Sequence, residues 1–99
     1  MADYRKPDAQ AWAIEHLRGQ WTTLMTPFTP DDHLDEEGLR SNIRHIRSLG
    51  TSGAGCTWGM GEFWSLTLQE RLRVYEVVSD EAGGEWPIAA HAPSDLLGA

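Results

Sequence analysis

Two short segments and one histidine carry the residue types that could bind and transform a small molecule. The first segment is Thr26-Pro27-Phe28, which ends an apolar run, and the second is the glycine-rich stretch 58–67 between a predicted strand and a predicted helix. Glycines allow backbone amides to approach an anion closely. An imidazole such as that of His91 can transfer protons near neutral pH. These residue types predict a site for a small anionic ligand.

Each candidate residue also has a structural interpretation. Glu62 could act as a general base or accept hydrogen bonds from loop amides. The indoles of Trp58 and Trp64 could stack on a substrate or pack between a helix and the sheet, and Met60 could line a pocket or fill a gap in the core. His91 could transfer protons or be an ordinary histidine without a partner. The candidate binding residues are Trp58, Gly59, Met60 and Gly61, with Thr26, Pro27 and Glu62 as structural neighbours and His91 as the possible catalytic residue.

The elements that must position these residues follow the order strand, helix, strand, helix, strand, after a leader and a short helix in residues 1–18. Local signals mark the boundaries of the two long helices: the first begins at the cap Asp35 and ends at Gly50, and the second begins at a capping box and ends at Gly83-Gly84. The predicted elements are a helix over Asp8–Arg18, strands over Trp21–Phe28, Gly53–Thr57 and Pro87–His91, helices over 36–49 and 68–82, and the start of a further helix over Ser94–Ala99.

Apolar residues at helical spacing predict which helix faces are buried. The expected faces are Ala11, Ile14 and Leu17 in the short helix, Leu39, Ile43, Ile46 and Leu49 in the first long helix, and Leu68, Leu72, Tyr75 and Val78 in the second.

Helices that alternate with buried strands indicate a parallel sheet with right-handed crossovers. The carboxyl ends of parallel strands point the same way, so both loop segments and His91 are expected on one rim, where ligands bind in such folds. Three strands would leave two open edges and one bare face. We therefore expect residues 19–99 to be part of a larger domain or to pair with a partner.

Composition excludes several classes of function. The net charge of −7 disfavours nucleic acids and anionic membranes, since both attract clustered Lys and Arg. The one cysteine, Cys56, is expected to be buried, and its isolation excludes an internal disulfide and a multi-cysteine metal site. His16, His33 and His45 share no metal-ligand spacing and are expected in solvent. The absence of a secretion signal or a run of about 20 apolar residues favours the cytoplasm.

The most specific residues resemble a known family. Leu24-Met25-Thr26-Pro27-Phe28, followed by Gly61-Glu62-Phe63-Trp64-Ser65-Leu66-Thr67 and Glu70-Arg71, are similar to the amino-terminal third of the dihydrodipicolinate synthase/N-acetylneuraminate lyase family. This resemblance implies a (β/α)8 barrel of which the chain supplies the first three strands. It also implies lyase chemistry on pyruvate or another 2-oxo acid and an aldehyde, no cofactor, and a homo-oligomer that is often a tetramer.

The resemblance further implies that a lysine on a later strand forms a Schiff base with the 2-oxo acid and that a tyrosine on another later strand moves protons. Neither position lies within this chain, whose one lysine is Lys6. The family usually has Gly-Thr-Thr-Gly-Glu in the second loop, where this chain has Trp58-Gly59-Met60-Gly61-Glu62, and His91 stands where glycine is common. The hydroxyls of that threonine pair are lost, so we expect a substrate other than aspartate semialdehyde, such as a bulky aromatic or sugar-derived 2-oxo acid.

The residues leave two other functions open besides a fragment of a Schiff-base lyase. One is a non-catalytic α/β piece that assembles with copies of itself through its open edges. The other is a small open α/β domain that binds an anion at the Gly59–Gly61 turn.

Overall fold

The computed structural model of the chain describes residues 4–91. Three helices and three strands alternate after a short 3-10 turn, Lys6–Asp8. Two further 3-10 turns, Gly59–Gly61 and Phe63–Ser65, form the loop after the second strand. The elements are α1 (Ala9–His16), β1 (Trp21–Thr23), α2 (Glu36–Ser48), β2 (Gly53–Cys56), α3 (Leu68–Ala82) and β3 (Ile88–Ala90).

The strands form one parallel sheet in the order β1-β2-β3. Trp21 pairs with Gly53, and Cys56 pairs with Ala90. The predicted α/β class, with its β-α-β-α-β order behind a short helix, is thus confirmed. Because the three strands run the same way, their carboxyl ends share one rim.

Local capping fixes α2 and α3. The Asp35 carboxylate accepts a hydrogen bond from the Gly38 amide at 2.9 Å, which satisfies one of the free donors in the first turn of α2. Thr67 and Glu70 form the predicted capping box at the start of α3. Gly83, with φ of +64°, ends α3 in the left-handed conformation that suits glycine.

The core lies between the two long helices and one face of the sheet. Ala54 and Cys56 of β2 point into it, and the alternation along a strand turns Gly53 and Gly55 to the opposite face. The fully buried helix residues are Leu39, Ile43, Val74, Val77 and Val78.

Ion pairs join the exposed edges of α2 and α3. Arg40 Nη1 lies 2.7 Å from Asp80 Oδ2, and Arg44 Nε lies 2.8 Å from Glu81 Oε1. Arg73 donates to both carboxylate oxygens of Glu36, at 2.8 and 2.6 Å. These ion pairs therefore hold α3 beside α2.

Two predicted helix faces were wrong in part: Leu39, Ile43 and Val78 lie in the core, and Ile46 and Tyr75 pack against it, but three leucines do not. In α3 the side chains of Leu68 and Leu72 are exposed, and the buried face runs through Val74, Val77, Val78 and Ala82. The predicted and the observed stripes share Val78 and both have helical spacing, so the pattern alone could not decide which one meets the sheet. In α2, Leu49 is 68% exposed, because it lies at the C-cap beyond the end of the core.

The short helix also differs from its prediction. It ends at His16 rather than Arg18, and Ile14 and Leu17 are exposed. Asp8 does not cap it, because the Asp8 carboxylate binds Arg5 Nε at 3.0 Å instead.

The strands are shorter than predicted. Only Trp21–Thr23 of the expected Trp21–Phe28 forms a strand; Leu24 still donates to the Gly55 carbonyl at 2.8 Å, after which the chain leaves the sheet. Thr57 is lost from β2 because its φ of +54° turns the chain, and β3 omits Pro87 and His91. The predicted helix over Ser94–Ala99 lies outside the described residues. Within residues 4–91, no helix has the length and apolarity needed to cross a bilayer.

Candidate functional site

The segments that follow β1 and β2 meet at the rim. The Thr26 hydroxyl donates to the Gly61 carbonyl at 2.8 Å. A Cβ atom added to Gly61 would lie 3.2 Å from the Leu24 carbonyl oxygen, a distance that few real Cβ contacts reach. Glycine at 61 therefore allows the second loop to lie directly on the first, with Pro27 half-buried beside it.

The side chain of Trp58 lies over the face of the sheet opposite the core, where Gly55 is. Thr57 adopts left-handed backbone angles at the end of β2, which reverses the direction of the next side chain. The Trp58 indole then covers Gly55, where a Cβ atom would overlap the ring. Trp21 covers Gly53 in the same way. The face that was expected to be bare is therefore covered at both glycines by indoles.

The Gly59–Gly61 turn presents only part of its backbone to a ligand. The Gly61 amide donates to the Trp58 carbonyl at 2.9 Å and the Glu62 amide donates to the Gly59 carbonyl at 3.1 Å. The amides of Gly59 and Met60 find no acceptor within residues 4–91. Glu62 shapes the turn through left-handed backbone angles, and its exposed carboxylate accepts no hydrogen bond from the described residues.

His91 lies beside an aromatic ring from the second loop. Its imidazole stacks on Phe63 with a ring separation of 4.2 Å, and the Arg71 guanidinium lies 5.6 Å from the centre of the same phenyl ring. The His91 Nδ1 atom is buried and has no hydrogen-bond partner among residues 4–91. A buried ring nitrogen in that state is costly unless another group binds it.

A pair of hydroxyls that the sequence did not single out connects the ends of β2 and β3. The hydroxyl of Tyr75, on α3, donates to the His91 carbonyl at 2.6 Å and lies 2.9 Å from the buried Thr57 hydroxyl. The sequence pattern places Tyr75 only on an apolar helix face. The available signal was its phenol group, which needs a polar partner when the ring is buried.

The side chain of Met60 lies apart from the other candidates, although its backbone belongs to the Gly59–Gly61 turn. Its side chain is 62% exposed and lines a hollow of about 230 Å3 on the side of β1 and α2, whereas His91 follows β3 at the other side of the sheet. The lining residues are Thr23, Met25, Asn42, His45, Ile46 and Met60.

A larger hollow of about 610 Å3 lies at the opposite pole, among residues at the amino ends of β1 and β3 and the end of α3. Its walls include Trp12, His16, Trp21 and Trp86. It is aromatic and remote from the rim, so it is not the site that the strand ends form.

Cys56 is buried, as expected, and burial raises the pKa of its thiol to about 11. A thiol with that pKa stays protonated at neutral pH and is a poor nucleophile. His16, His33 and His45 are exposed, also as expected. Among residues 4–91, no three His, Cys, Asp or Glu side chains converge in a way that could hold a metal ion.

Comparison with known proteins identifies sequence relatives for most of the chain. Residues 16–97 match the Dihydrodipicolinate synthetase family. The 4-hydroxy-tetrahydrodipicolinate synthase of Methanospirillum hungatei JF-1 is 39% identical over 80% of this chain and 28% of the relative. The N-acetylneuraminate lyase of Enterobacter sp. strain 638 is 35% identical over 78% of this chain and 26% of the relative. The chain thus spans about a quarter of the length of these relatives.

Solved structures show the same arrangement of strands and helices. The N-acetylneuraminate lyase of Fusobacterium nucleatum superposes with a TM-score of 0.71 and 30% identity over 76% of this chain and 26% of that structure. The dihydrodipicolinate synthase of Aquifex aeolicus superposes with a TM-score of 0.70 and 29% identity over 74% of this chain and 25% of that structure.

Proposed function

Because the chain belongs to the dihydrodipicolinate synthetase family, we propose that it supplies the first part of a lyase that forms or breaks a bond between a 2-oxo acid and an aldehyde. The observation that carries this proposal is the family match over residues 16–97, which includes every residue of the rim. The relatives named as synthases and lyases are about three times as long as this chain, so the rest of the site is expected from polypeptide beyond these 99 residues.

The reaction would use a lysine that this chain does not place at the rim. Its one lysine, Lys6, lies in the 3-10 turn before α1. A lysine amine that condenses with the 2-oxo acid releases water and gives an imine, and the protonated imine withdraws electrons from the adjacent carbon. When that carbon loses a proton it can form a carbon–carbon bond to the aldehyde. In the reverse direction the bond breaks, the aldehyde leaves and the carbon regains the proton. The 99-residue chain alone is expected to be inactive.

The chain's own residues would bind and orient the 2-oxo acid. We expect the amides of Gly59 and Met60 to donate to its carboxylate, since they have no acceptor within residues 4–91. The buried Nδ1 of His91 supports a role in holding or moving a proton at the rim. The indole of Trp58, which lies over Gly55, would form an apolar wall and favour a bulky aromatic or sugar-derived substrate over a small aldehyde.

A chimaera tests this proposal. Residues 1–91 are joined to the remainder of the Methanospirillum hungatei relative, incubated with pyruvate and treated with borohydride, which reduces an imine to a stable amine. We expect one pyruvate-derived group on a lysine of the relative's portion, both with Lys6 present and in Lys6→Arg. The 99-residue chain alone is the control and should remain unmodified.

A folded chimaera that captures no pyruvate would contradict the proposal. It would leave the alternative of a non-catalytic α/β piece that assembles through its open sheet edges or binds an anion at the Gly59–Gly61 turn. That the whole protein works in the cytoplasm as a homo-oligomer stays a prediction, as does the division into residues 1–18 and 19–99.

A further inference from the structure

The hydroxyls of Thr57 and Tyr75 make three close polar contacts but have only two hydrogen atoms between them. Thr57 Oγ1 lies 2.7 Å from the Cys56 carbonyl and 2.9 Å from Tyr75 Oη, and Tyr75 Oη lies 2.6 Å from the His91 carbonyl. Each hydroxyl has one hydrogen. Tyr75 must give its hydrogen to the His91 carbonyl, which can only accept. Thr57 then has one hydrogen for two acceptors, the Cys56 carbonyl and Tyr75 Oη, and it is joined to the helix when it donates to Tyr75.

These bonds hold the backbone of His91 from both sides. The His91 amide donates to the Cys56 carbonyl at 3.4 Å, and the His91 carbonyl accepts from Tyr75 at 2.6 Å. The residue is therefore tied to the end of β2 through its amide and to α3 through its carbonyl. The ring that this backbone carries stacks on Phe63 with a ring separation of 4.2 Å.

The contact between the Thr57 and Tyr75 hydroxyls also ties the left-handed turn at Thr57 to α3. Thr57 is 1% exposed and has a left-handed backbone, a conformation that a β-branched residue adopts rarely. That turn sets the direction from which Trp58 covers Gly55. One hydroxyl pair thus determines the placement of the residues that follow β2 and β3.

We propose that Tyr75 and Thr57 are positioning residues, whose hydrogen-bonded hydroxyls fix His91 and Trp58 at the rim. The significance of this role for a reaction rests on the proposed function, since neither residue is expected to touch a substrate. The placement itself can be measured without any reaction.

The test is the NMR spectrum of the 99-residue chain with isotope-labelled histidine. A ring stacked on Phe63 should shift the ring protons of His91 upfield, while His33 and His45 are exposed and provide two internal references. His16 is not a reference, because its ring stacks on Trp12 at 4.6 Å. In Tyr75→Phe we expect the His91 signals to lose this shift and move toward those of His33 and His45. The matched control is Tyr4→Phe, which removes a phenol oxygen from an exposed ring and should leave His91 unchanged.

Variants at Thr57 provide the second measurement. Thr57→Ser keeps the hydroxyl and should keep the His91 shift, whereas Thr57→Val keeps the shape and should lose it. The proposal is overturned if His91 keeps its shift in Tyr75→Phe while the core methyl signals of Val74 and Val78 show a folded chain. If Tyr75→Phe does not fold, the unaltered chain decides: nuclear Overhauser contacts between the Tyr75 hydroxyl proton and His91 support the proposal, and their absence overturns it.

Success in this spectrum together with failure of the pyruvate capture would leave the positioning role in place and remove the proposed function. If the spectrum contradicts the positioning role and the chimaera captures pyruvate, the positioning role is removed and the proposed function stays in place.

Discussion

At the scale of single residues, the site depends on two left-handed residues that are not glycine. Thr57 and Glu62 have φ of +54° and bound the turn that carries Gly59–Gly61. Such conformations cost about 1–3 kcal/mol each and persist only where the surroundings enforce them. The Tyr75 hydroxyl and the bond from Thr26 to Gly61 supply that enforcement here. The glycine spacing predicted a turn, but the left-handed threonine follows from contacts that the sequence does not display.

Replacement of Gly55 tests the coupling between the sheet and Trp58. In Gly55→Ala the added methyl group would overlap the indole, so we expect the ring to leave the sheet and the free energy of unfolding to fall by about 1–3 kcal/mol, as in other overpacked cores. Fluorescence of Trp58, with the other tryptophans replaced by phenylalanine, and unfolding in urea measure the two effects.

The matched control for this change is Gly59→Ala. An added Cβ at Gly59 meets nothing within 4 Å, and the stability should change little. An unaltered indole signal and unaltered stability in Gly55→Ala would show that Trp58 does not cover β2 in solution.

At the scale of elements, the ends of the two long helices were predictable, and the ends of the short helix and of the strands were not. Asp35, Thr67 and Gly83 act on their own first or last turns, so a local pattern suffices. The end of a strand is set instead by its neighbours: β1 stops where the chain leaves the sheet after Leu24. The buried face of α3 also depends on its neighbour, because two apolar stripes were available and only the packing against β2 and α2 selects one.

The ion pairs between α2 and α3 predict a loss of stability in acid. Hydrogen bonds from Arg44 lower the pKa of Glu81, and hydrogen bonds from Arg73 lower the pKa of Glu36. A carboxyl group whose pKa is lower in the folded state stabilises the fold above its unfolded value of 4.5, and this contribution is lost as the pH falls through the folded pKa. Urea unfolding at neutral pH and at pH values below 4.5 should show the free energy of unfolding falling.

Glu81→Gln should lower the stability at neutral pH and reduce its fall in acid, since the amide does not titrate. Glu85→Gln is the matched control: Glu85 has no ion pair with residues 4–91, so this change should leave the acid response as it is in the unaltered chain. A response that is identical in both variants would show that the pair between Arg44 and Glu81 contributes nothing.

At the scale of the whole molecule, the order of elements was enough to predict the rim. Neighbouring strands that are joined by helical crossovers run parallel, so the carboxyl ends of β1, β2 and β3 are expected along one rim. Two features were beyond this reasoning. Met60 lies at the side of α2, away from His91, because the turn ends by folding onto Thr26. Tyr75 reaches His91 from α3, and a local pattern does not predict a contact between residues that are 16 positions apart.

The tryptophans allow the rim to be tested directly in the chimaera. Trp58 lies at the rim, whereas Trp12, Trp21 and Trp86 line the hollow at the opposite pole. With 5-fluorotryptophan in place of tryptophan, and each signal assigned by its replacement with phenylalanine, fluorine NMR reports on both poles at once. We predict that reductive capture of pyruvate moves the Trp58 signal and leaves those of Trp12, Trp21 and Trp86 in place. A shift confined to Trp12, Trp21 or Trp86, with Trp58 unmoved, would contradict a site at the carboxyl ends of the strands.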